Sequence, residues 1–354
     1  MADRERMTSR AVPKAVAGAV NARIWVLDDP RTGTSAQAIG IAERLGMAFR
    51  RVPLSWNWMA HVAALAPNGS LLGLAPSDAA QIGMDLPSGI APPLLVISSG
   101  RRSAAVALWL KARFGAKLVH CMSPGIGGLL RRAEYDMLVT PEHDLPAAAP
   151  NVFPVLGAPH RVSSNVLRQA ALQWSERLDH LPHPKVALLV GGPTRGRTLE
   201  PARAHTLGRT VARLVAGRSG SVLASTSRRT GAEAGDALAA GLGQVMHLLY
   251  RWGEPGENPY LGYLVSADAI IVTADSVSMI SEACATSAAV FIALPELAGT
   301  RHRHFIGKLT QAGQVRPLGR DLAAWNRTPL DEAGRVAAEI RRRFQLDDSA
   351  SSAR

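Results

Sequence analysis

The chain has 354 residues, a formal net charge of +12 and two cysteines. Its length suits two domains with substantial cores, and the lack of any uncharged apolar run of roughly 18 residues argues against a transmembrane helix. Nucleic acid is the weakest of the partners that such basicity suggests, because basic residues are scattered, aromatics are few and no helix-turn-helix, zinc-finger or RNA-binding sheet signature appears.

Lys14, Lys111, Lys117, Lys185 and Lys308 are the only lysines, so the positive charge is mostly arginine. It fits phosphorylated ligands or an anionic membrane surface, and a compositional arginine bias accounts for it equally well. The segment Met1–Ala22 mixes Arg4, Arg6 and Arg10 with Asp3 and Glu5. Its apolar stretch Ala15–Val20 is too brief for a signal-peptide core; the composition fits a disordered tail over residues 1–22 best, with an organelle transit peptide as the alternative.

Arg23 opens the ordered chain. Ile24–Leu27 is expected as a strand, a polar turn covers Asp28 to Gly33, and Ser35–Gly46 shows helical periodicity through Ala38, Ile41, Ala42 and Leu45. Further strands are expected at Phe49–Leu54, Leu94–Ile97, Ala116–Cys121, Asp136–Val139 and Val152–Val155. A helix is expected near Met59–Leu65, followed by Pro- and Gly-rich loops to Pro93, and another helix ends near Phe114. Ser163–Leu178 is helical, and Pro182-His183-Pro184 separates an N-terminal half (23–180) from a C-terminal half (185–325).

The pattern then restarts. Strands are expected at Val186–Val190, Gly220–Ala224, Val245–Leu248, Ala269–Val272 and Val290–Leu294. Helices are expected over Pro201–Ala216 and from near Ala232, Pro259, Ser276 and Arg303, with a last one over 331–344. Strands alternating with helices twice over imply an α/β protein of two Rossmann-like, doubly wound domains facing a cleft. Cys121 and Cys284 lie far apart in apolar sequence and suit buried free thiols in a reducing, cytoplasmic setting. No Cys/His cluster has metal-ligand spacing, and His302 and His304 fall in a basic run that suits solvated side chains.

Polar clusters follow the strands. Ser227-Arg228-Arg229-Thr230 and Asp275-Ser276-Val277-Ser278 each come just after an apolar run, where a helix is about to begin. Strand ends and helix N-termini of open α/β sheets favour anionic ligands, and arginine forks match phosphate oxygens. Asp275 suits a helix N-cap, while Ser278 and Glu282, four apart, share one helical face from which the carboxylate can take a ribose. Gly191-Gly192, with Arg195 beyond it, forms a turn that a ligand can approach closely, though it matches neither Walker A nor GxGxxG. In the first half, Gly33, Ser99, Gly100, Arg101 and Arg102 occupy equivalent strand-end positions. Capping accounts for Thr34 or Ser35, and Asp29 and His143 are the candidates for a general base. Tyr260 opens a helix, with its ring either on a base or in the core; packing is the safer assignment.

Taken in order, Asp28 to Gly33 with Gln37, Ser98 to Ser103, Pro141 to Asp144, Ser227 to Thr230, Asn258 to Tyr260 and Thr273 to Ala283 resemble the mitochondrial-fission "elongated mitochondria" family. The segment from His120 to Pro124 departs from the family's usual pattern. That family is similar to the two-domain GT-B glycosyltransferases. The resemblance implies a C-terminal domain that holds a nucleotide-sugar, an N-terminal domain that receives the acceptor, and a terminal helix that packs back on the N-terminal domain. By position, Glu282 resembles the GT-B ribose acid, with Ser276, Ser278, Arg228 and Arg229 by the diphosphate. The plant members are implicated in recruiting a dynamin-like fission protein to mitochondria.

The expectation is therefore a cytoplasmic protein, peripheral to an inner membrane through its basic surface, that moves a sugar from a nucleotide donor to an envelope or lipid acceptor. No resident cofactor or metal is called for, since arginines and helix N-termini can stabilise the leaving diphosphate. A noncatalytic adaptor and a nucleotide-sugar epimerase stand as alternatives.

Overall fold

The structure, a computed structural model, describes residues 22–60, 69–83, 86–144, 149–192 and 199–346. The expected tail, most of the expected helix Met59–Leu65, and Arg195 lie outside these described residues. Contacts divide the chain into two compact units. The described part of the first comprises residues 22–60, 69–83, 86–140, 149–154 and 333–346, and that of the second comprises 141–144, 155–192 and 199–332.

The first unit is built from β1 (Ile24–Asp28), α1 (Thr32–Leu45), β2 (Phe49–Pro53), α2 (Pro76–Ile82) and β3 (Leu95–Ser99). It continues through α3 (Arg101–Phe114), β4 (Lys117–Cys121), α4 (Gly125–Leu130) and β5 (Met137–Pro141) to β6 (Val152–Val155). The sheet order is β2-β1-β3-β4-β5-β6, with β1, β2, β3, β4 and β5 paired in parallel. The order reverses between β1 and β3, and in such sheets the strand ends diverge there and leave a ligand crevice.

The second unit contains α5 (Ser164–Leu178), β7 (Lys185–Val190), α6 (Pro201–Ala216), β8 (Ser221–Thr226), α7 (Ala232–Leu242) and β9 (His247–Tyr250). It continues with α8 (Tyr260–Ser266), β10 (Ala269–Thr273), α9 (Val277–Cys284), β11 (Ala289–Ala293), α10 (Thr300–Gln311) and β12 (Arg316–Pro317). Its sheet runs β9-β8-β7-β10-β11-β12 and is parallel throughout, so its reversal falls between β7 and β10.

Parallel strands covered on both faces must be apolar along their whole length. β7, β8, β10 and β11 are buried at every residue, which is why their apolar runs stand out in the sequence. The helices supply the covering faces: α6 buries Ala204, Leu207, Gly208, Val211 and Val215 at helical spacing against the sheet.

Helix α5 precedes Pro182 yet belongs to the second unit, because its buried Leu167, Ala170, Trp174 and Leu178 share a core with Leu189, Tyr263 and Ile270. The Pro-rich break is a local feature of the chain, whereas the apolar face of α5 decides its packing. The last helix, α11 (Glu332–Phe344), runs with the first unit from Ala333 onward. There Arg343 Nη1 donates to Pro150 O at 3.0 Å, Arg341 donates to Leu45 O, and the Arg335 guanidinium lies 5.4 Å from the Phe153 ring centre.

Three elements escape sequence reading. β12 has two residues, one of them a proline that cannot donate to a ladder. α4 (GIGGLL) is rich in the least helix-prone ordinary residue. α2 interrupts an expected loop, although Pro76 at its first turn and Asp78 are ordinary helix-start signals. Among the described residues no helix is long and apolar enough to cross a membrane. Cys121 and Cys284 are buried and free, and burial pushes the Cys284 thiol up to about 12.

His120, fully buried on β4, places Nδ1 2.8 Å from Ser98 Oγ, and burial pushes its pKa down to about 3. The unfolded imidazole titrates near ~6.5. Below that pH the unfolded chain binds a proton that the folded one refuses, so stability is lost as pH falls from there toward 3, at up to ~1.4 kcal/mol per pH unit. His120→Asn is expected to flatten the acid limb of a urea-midpoint series between pH 7 and 4 by about one proton. An unchanged slope contradicts a neutral buried imidazole.

Candidate functional site

The reversal point of the second sheet brings together three segments distant in sequence. Gly191 N–H donates to Thr273 Oγ1 at 2.8 Å, and Gly192 N–H donates to Asp275 Oδ2 at 2.7 Å. From the turn after β8, buried Thr230 donates through Oγ1 to Gly191 O at 2.6 Å and accepts from Ser227 N–H at 2.9 Å. A Cβ at Gly191 would lie 2.3 Å from Asp275 Oδ2, and one at Gly192 would lie 2.1 Å from Arg229 O. The close approach that these glycines permit is thus to the protein's own strand ends.

Arg229 and Arg228 part company. Arg229 Nη2 lies 3.6 Å from Asp275 Oδ2, whereas Arg228 is exposed. Asp275 is only 2% exposed and is not the cap of α9. Ser276 takes that role, its Oγ accepting from Met279 N–H at 3.5 Å, because the Asp275 carboxylate is drawn to Gly192 and Arg229 one residue earlier. Its Oδ1 is buried with no hydrogen-bond partner among the described residues.

Along α9, Ser278 is half-buried and Glu282 follows four residues on. Tyr260 donates its hydroxyl to Glu282 Oε2 at 2.6 Å while its ring packs against the core, so the polar and apolar roles coexist in one residue. The other end of α9 is tied by Arg327, which donates to Cys284 O at 2.9 Å and to Ala283 O at 3.3 Å, satisfying carbonyls that the helix leaves open.

Residues 141–144 also belong to the second unit, and they bring His143 with them. Its side chain is 6% exposed, its ring centre lies 5.5 Å from that of Phe305 on α10, and Asp144 Oδ1 pairs with Arg301 Nε at 2.9 Å. Burial lowers the pKa of His143; Asp144 opposes this, and Arg301, His302 and His304 add to it. His302 is half-buried and not simply solvated. Its pKa is lowered by burial first, with Asp275 opposing and Arg229 and Arg301 adding. The helix begins at Thr300, three residues before the expected Arg303, because Gly299 at its N-cap offers no side-chain signal. His304 is exposed.

The first unit holds the other cluster. Asp29, 4% exposed, accepts from Trp56 Nε1 at 3.0 Å, from Arg31 N–H at 2.9 Å and from Arg102 Nη2 at 3.3 Å. Arg102 also lies over the Trp56 ring, 5.3 Å from its centre. α1 has no side-chain cap; Ser35 instead donates to Asp28, which pairs with Arg51 at 2.5 Å. Gly33 is exposed in the first turn of α1. Ser99 is buried at the end of β3, Gly100 takes φ +85 where a Cβ would press on Thr34, and Arg101 points to solvent. Among the described residues no three His, Cys, Asp or Glu side chains group closely enough to hold a metal ion.

Two doubly wound parallel sheets, each with an order reversal that gathers polar strand ends, define a GT-B-like protein. The backbone matches "UDP-GlcNAc 2-epimerase from Methanocaldococcus jannaschii" with a TM-score of 0.52, over 90% of this chain and 99% of that one. At 11% identity this is a likeness of fold. Residues 32–344 match the family described as "Mitochondrial fission ELM1", and the chain belongs to that family.

Two relatives bracket it. The "Mitochondrial fission protein ELM1" of Arabidopsis thaliana is 29% identical over 275 residues, which cover 71% of this chain. The chain spans only 64% of the length of that plant protein. The "Uncharacterized protein RP120" of Rickettsia prowazekii (strain Madrid E) is 25% identical over 366 aligned positions, covering 92% of this chain and 99% of the relative.

Proposed function

We propose that the second unit binds a nucleotide-sugar and that the protein transfers its sugar to an acceptor hydroxyl. The carrying observation is the placement of Arg229 by buried Asp275 at the strand-order reversal, beside the start of α9. In this reading Arg229, Ser227 and the first-turn N–H groups of α9 take the diphosphate, assisted by exposed Arg228. Glu282, oriented by Tyr260, takes the ribose hydroxyls.

The acceptor oxygen bonds to the anomeric carbon as the bond from that carbon to the diphosphate oxygen breaks. The hydroxyl proton goes to a general base, and the departing charge falls on Arg229. Between the two candidate bases, burial favours His143, since it keeps the imidazole neutral and able to accept a proton. Asp29 has its lone pairs engaged by Arg102, Trp56 and the Arg31 amide. The acceptor groups Gly33, Ser99, Gly100, Arg101 and Arg102 belong to the first unit. A cytoplasmic location and contact with anionic membranes through the arginine-rich surface belong to the same proposal, the latter testable as salt-sensitive liposome binding.

One observation favours a second reading, a noncatalytic adaptor: the Gly192 N–H is already taken by the protein's own carboxylate. Thermal unfolding with a panel of nucleoside diphosphates and nucleotide-sugars separates the two. A ligand at 100 times its Kd is expected to stabilise the chain by about 2.7 kcal/mol, with the shift reduced in Glu282→Ala. No shift with any nucleotide supports the adaptor instead.

A further inference from the structure

The first sheet has β2 and β6 at its edges, and the second has β9 and β12. An edge strand offers unpaired N–H and C=O groups to another chain, and charge or proline on the strand discourages that. β2 carries Arg50, Arg51 and Pro53, β6 carries Pro154, and β12 consists of Arg316 and Pro317. β9, with the sequence His-Leu-Leu-Tyr, has none of these devices. Apolar surface gathers on the same edge. Among the described residues of the second unit, the exposed large apolar side chains are Leu172, Met246, Leu248 and Trp252, and the last three lie on β9 or just beside it. Two hollows border the strand: Leu248 and Tyr250 line one with Trp174 of α5, and Val245 and Met246 line the other with Ala216.

The backbone of β9 is aimed outward at alternate residues. Val222 N–H donates to Met246 O at 2.9 Å, and Val222 is in register with His247. In a parallel ladder a residue bonds to the two neighbours of its register partner, so Met246, Leu248 and Tyr250 turn their backbone groups to β8. Those of His247 and Leu249 face away from the sheet, with no backbone partner among the described residues.

A second copy of the same strand fits these groups. With β9 antiparallel to itself about a two-fold axis at Leu248, His247 of each chain pairs with Leu249 of the partner subunit. Every outward N–H and C=O of both strands is then satisfied. Leu248 meets the partner subunit's Leu248 in a non-hydrogen-bonded pair, where side chains come closest, and Met246 falls opposite the partner subunit's Tyr250.

Charge selects the antiparallel sense. Near the carboxyl end of β9, Arg177 and Arg251 face three carboxylates, Asp236, Glu254 and Glu257. Near its amino end, exposed Arg218 adjoins Ser219 of the hollow around Met246 and has no ion-pair partner among the described residues. The two-fold sets the carboxylate-rich end of each copy against the basic end of the other, whereas parallel pairing would set like against like.

We propose that β9 is a homodimer interface, at which two copies join edge to edge and antiparallel to form one continuous sheet from their second units. Such an isologous contact closes on itself and leaves no further β9 edge open.

Sedimentation velocity on the full chain is expected to show a dimer in the micromolar range, and His247→Pro and Leu248→Lys to show monomers. The proline removes an outward N–H and spares the ladder with β8, so its far-ultraviolet circular dichroism should match wild type. Cross-linking tests the register. Cys121 and Cys284 are buried, so an introduced surface thiol reports alone. Oxidised Leu248→Cys is expected to give a disulfide-linked dimer, because the facing Cα atoms would lie ~4.5 Å apart. Met246→Cys should not, its two copies being separated by ~13 Å along the strands. A chain that stays monomeric across that range, a dimer that survives both substitutions, or cross-linking as strong at position 246 as at 248 overturns the proposal.

Discussion

Arg229→Ala is expected to weaken binding of a nucleoside diphosphate by about ten- to a hundredfold. A hydrogen bond from a guanidinium to a phosphate is worth ~1.5–3 kcal/mol, and 1.4 kcal/mol is about a factor of ten. Two observations make Arg229 the residue to change. It is held toward buried Asp275, whereas its neighbour Arg228 is exposed, so one guanidinium of the pair is pre-placed and the other is not. Holding a long side chain in position beforehand removes much of the ordering cost of binding. Arg229→Lys keeps the charge and loses the fork, so it should fall between wild type and alanine. Arg228→Ala should cost less than Arg229→Ala. Equal losses at the two positions, measured by titration calorimetry at fixed ionic strength, contradict the assignment.

The second large effect concerns the framework beneath the site. Gly192→Ala is expected to destabilise the second unit by about 3 kcal/mol or more, at or beyond the usual range for overpacking. The new methyl would meet only backbone: Arg229 O at 2.1 Å, Arg229 C at 2.4 Å and Thr230 N at 2.8 Å. That backbone has little freedom to retreat, because Thr230 Oγ1 ties it to Gly191 O at 2.6 Å. For a unit of this size each kcal/mol lowers the melting midpoint by roughly 2–4 °C. Gly217→Ala is the control, with ordinary helical φ of −64 and nothing within 4 Å of the added carbon. It should be neutral or stabilise by ~0.4–1 kcal/mol through the unfolded state. A Gly192→Ala protein that melts with wild type contradicts the interlock of β7, β8 and β10.

Much of this fold is visible in the chain because parallel strands buried on both faces leave unbroken apolar runs, as at Val186–Val190 and Ala269–Val272. The site is partly visible for a related reason: strand ends must turn, and turns carry glycines, hydroxyls and acids. Residue types at such turns do not reveal which partner each will choose. Asp275 suits a helix cap by position, yet Gly192 and Arg229, both distant in sequence, claim its carboxylate, and Ser276 caps instead. His302 lies in a basic run that suits solvent until α10 begins three residues early. Helix α5 precedes a proline-rich break yet packs beyond it, since burial of Trp174 and Leu178 outweighs chain position. The Asp275 and α5 outcomes depend on contacts across long sequence separation, where local pattern carries no information, and that of His302 on Gly299, an N-cap without a side-chain signal.

Hydrogen exchange on the full chain, with and without a saturating nucleotide-sugar found by thermal screening, tests the nucleotide site most directly. The expected result is slowed exchange confined mainly to 226–230 and 274–282, with Arg229→Ala abolishing it at the same ligand concentration. Slowed exchange centred on 28–35 and 99–103, with 226–230 and 274–282 unchanged, would place the nucleotide in the other sheet and contradict the account.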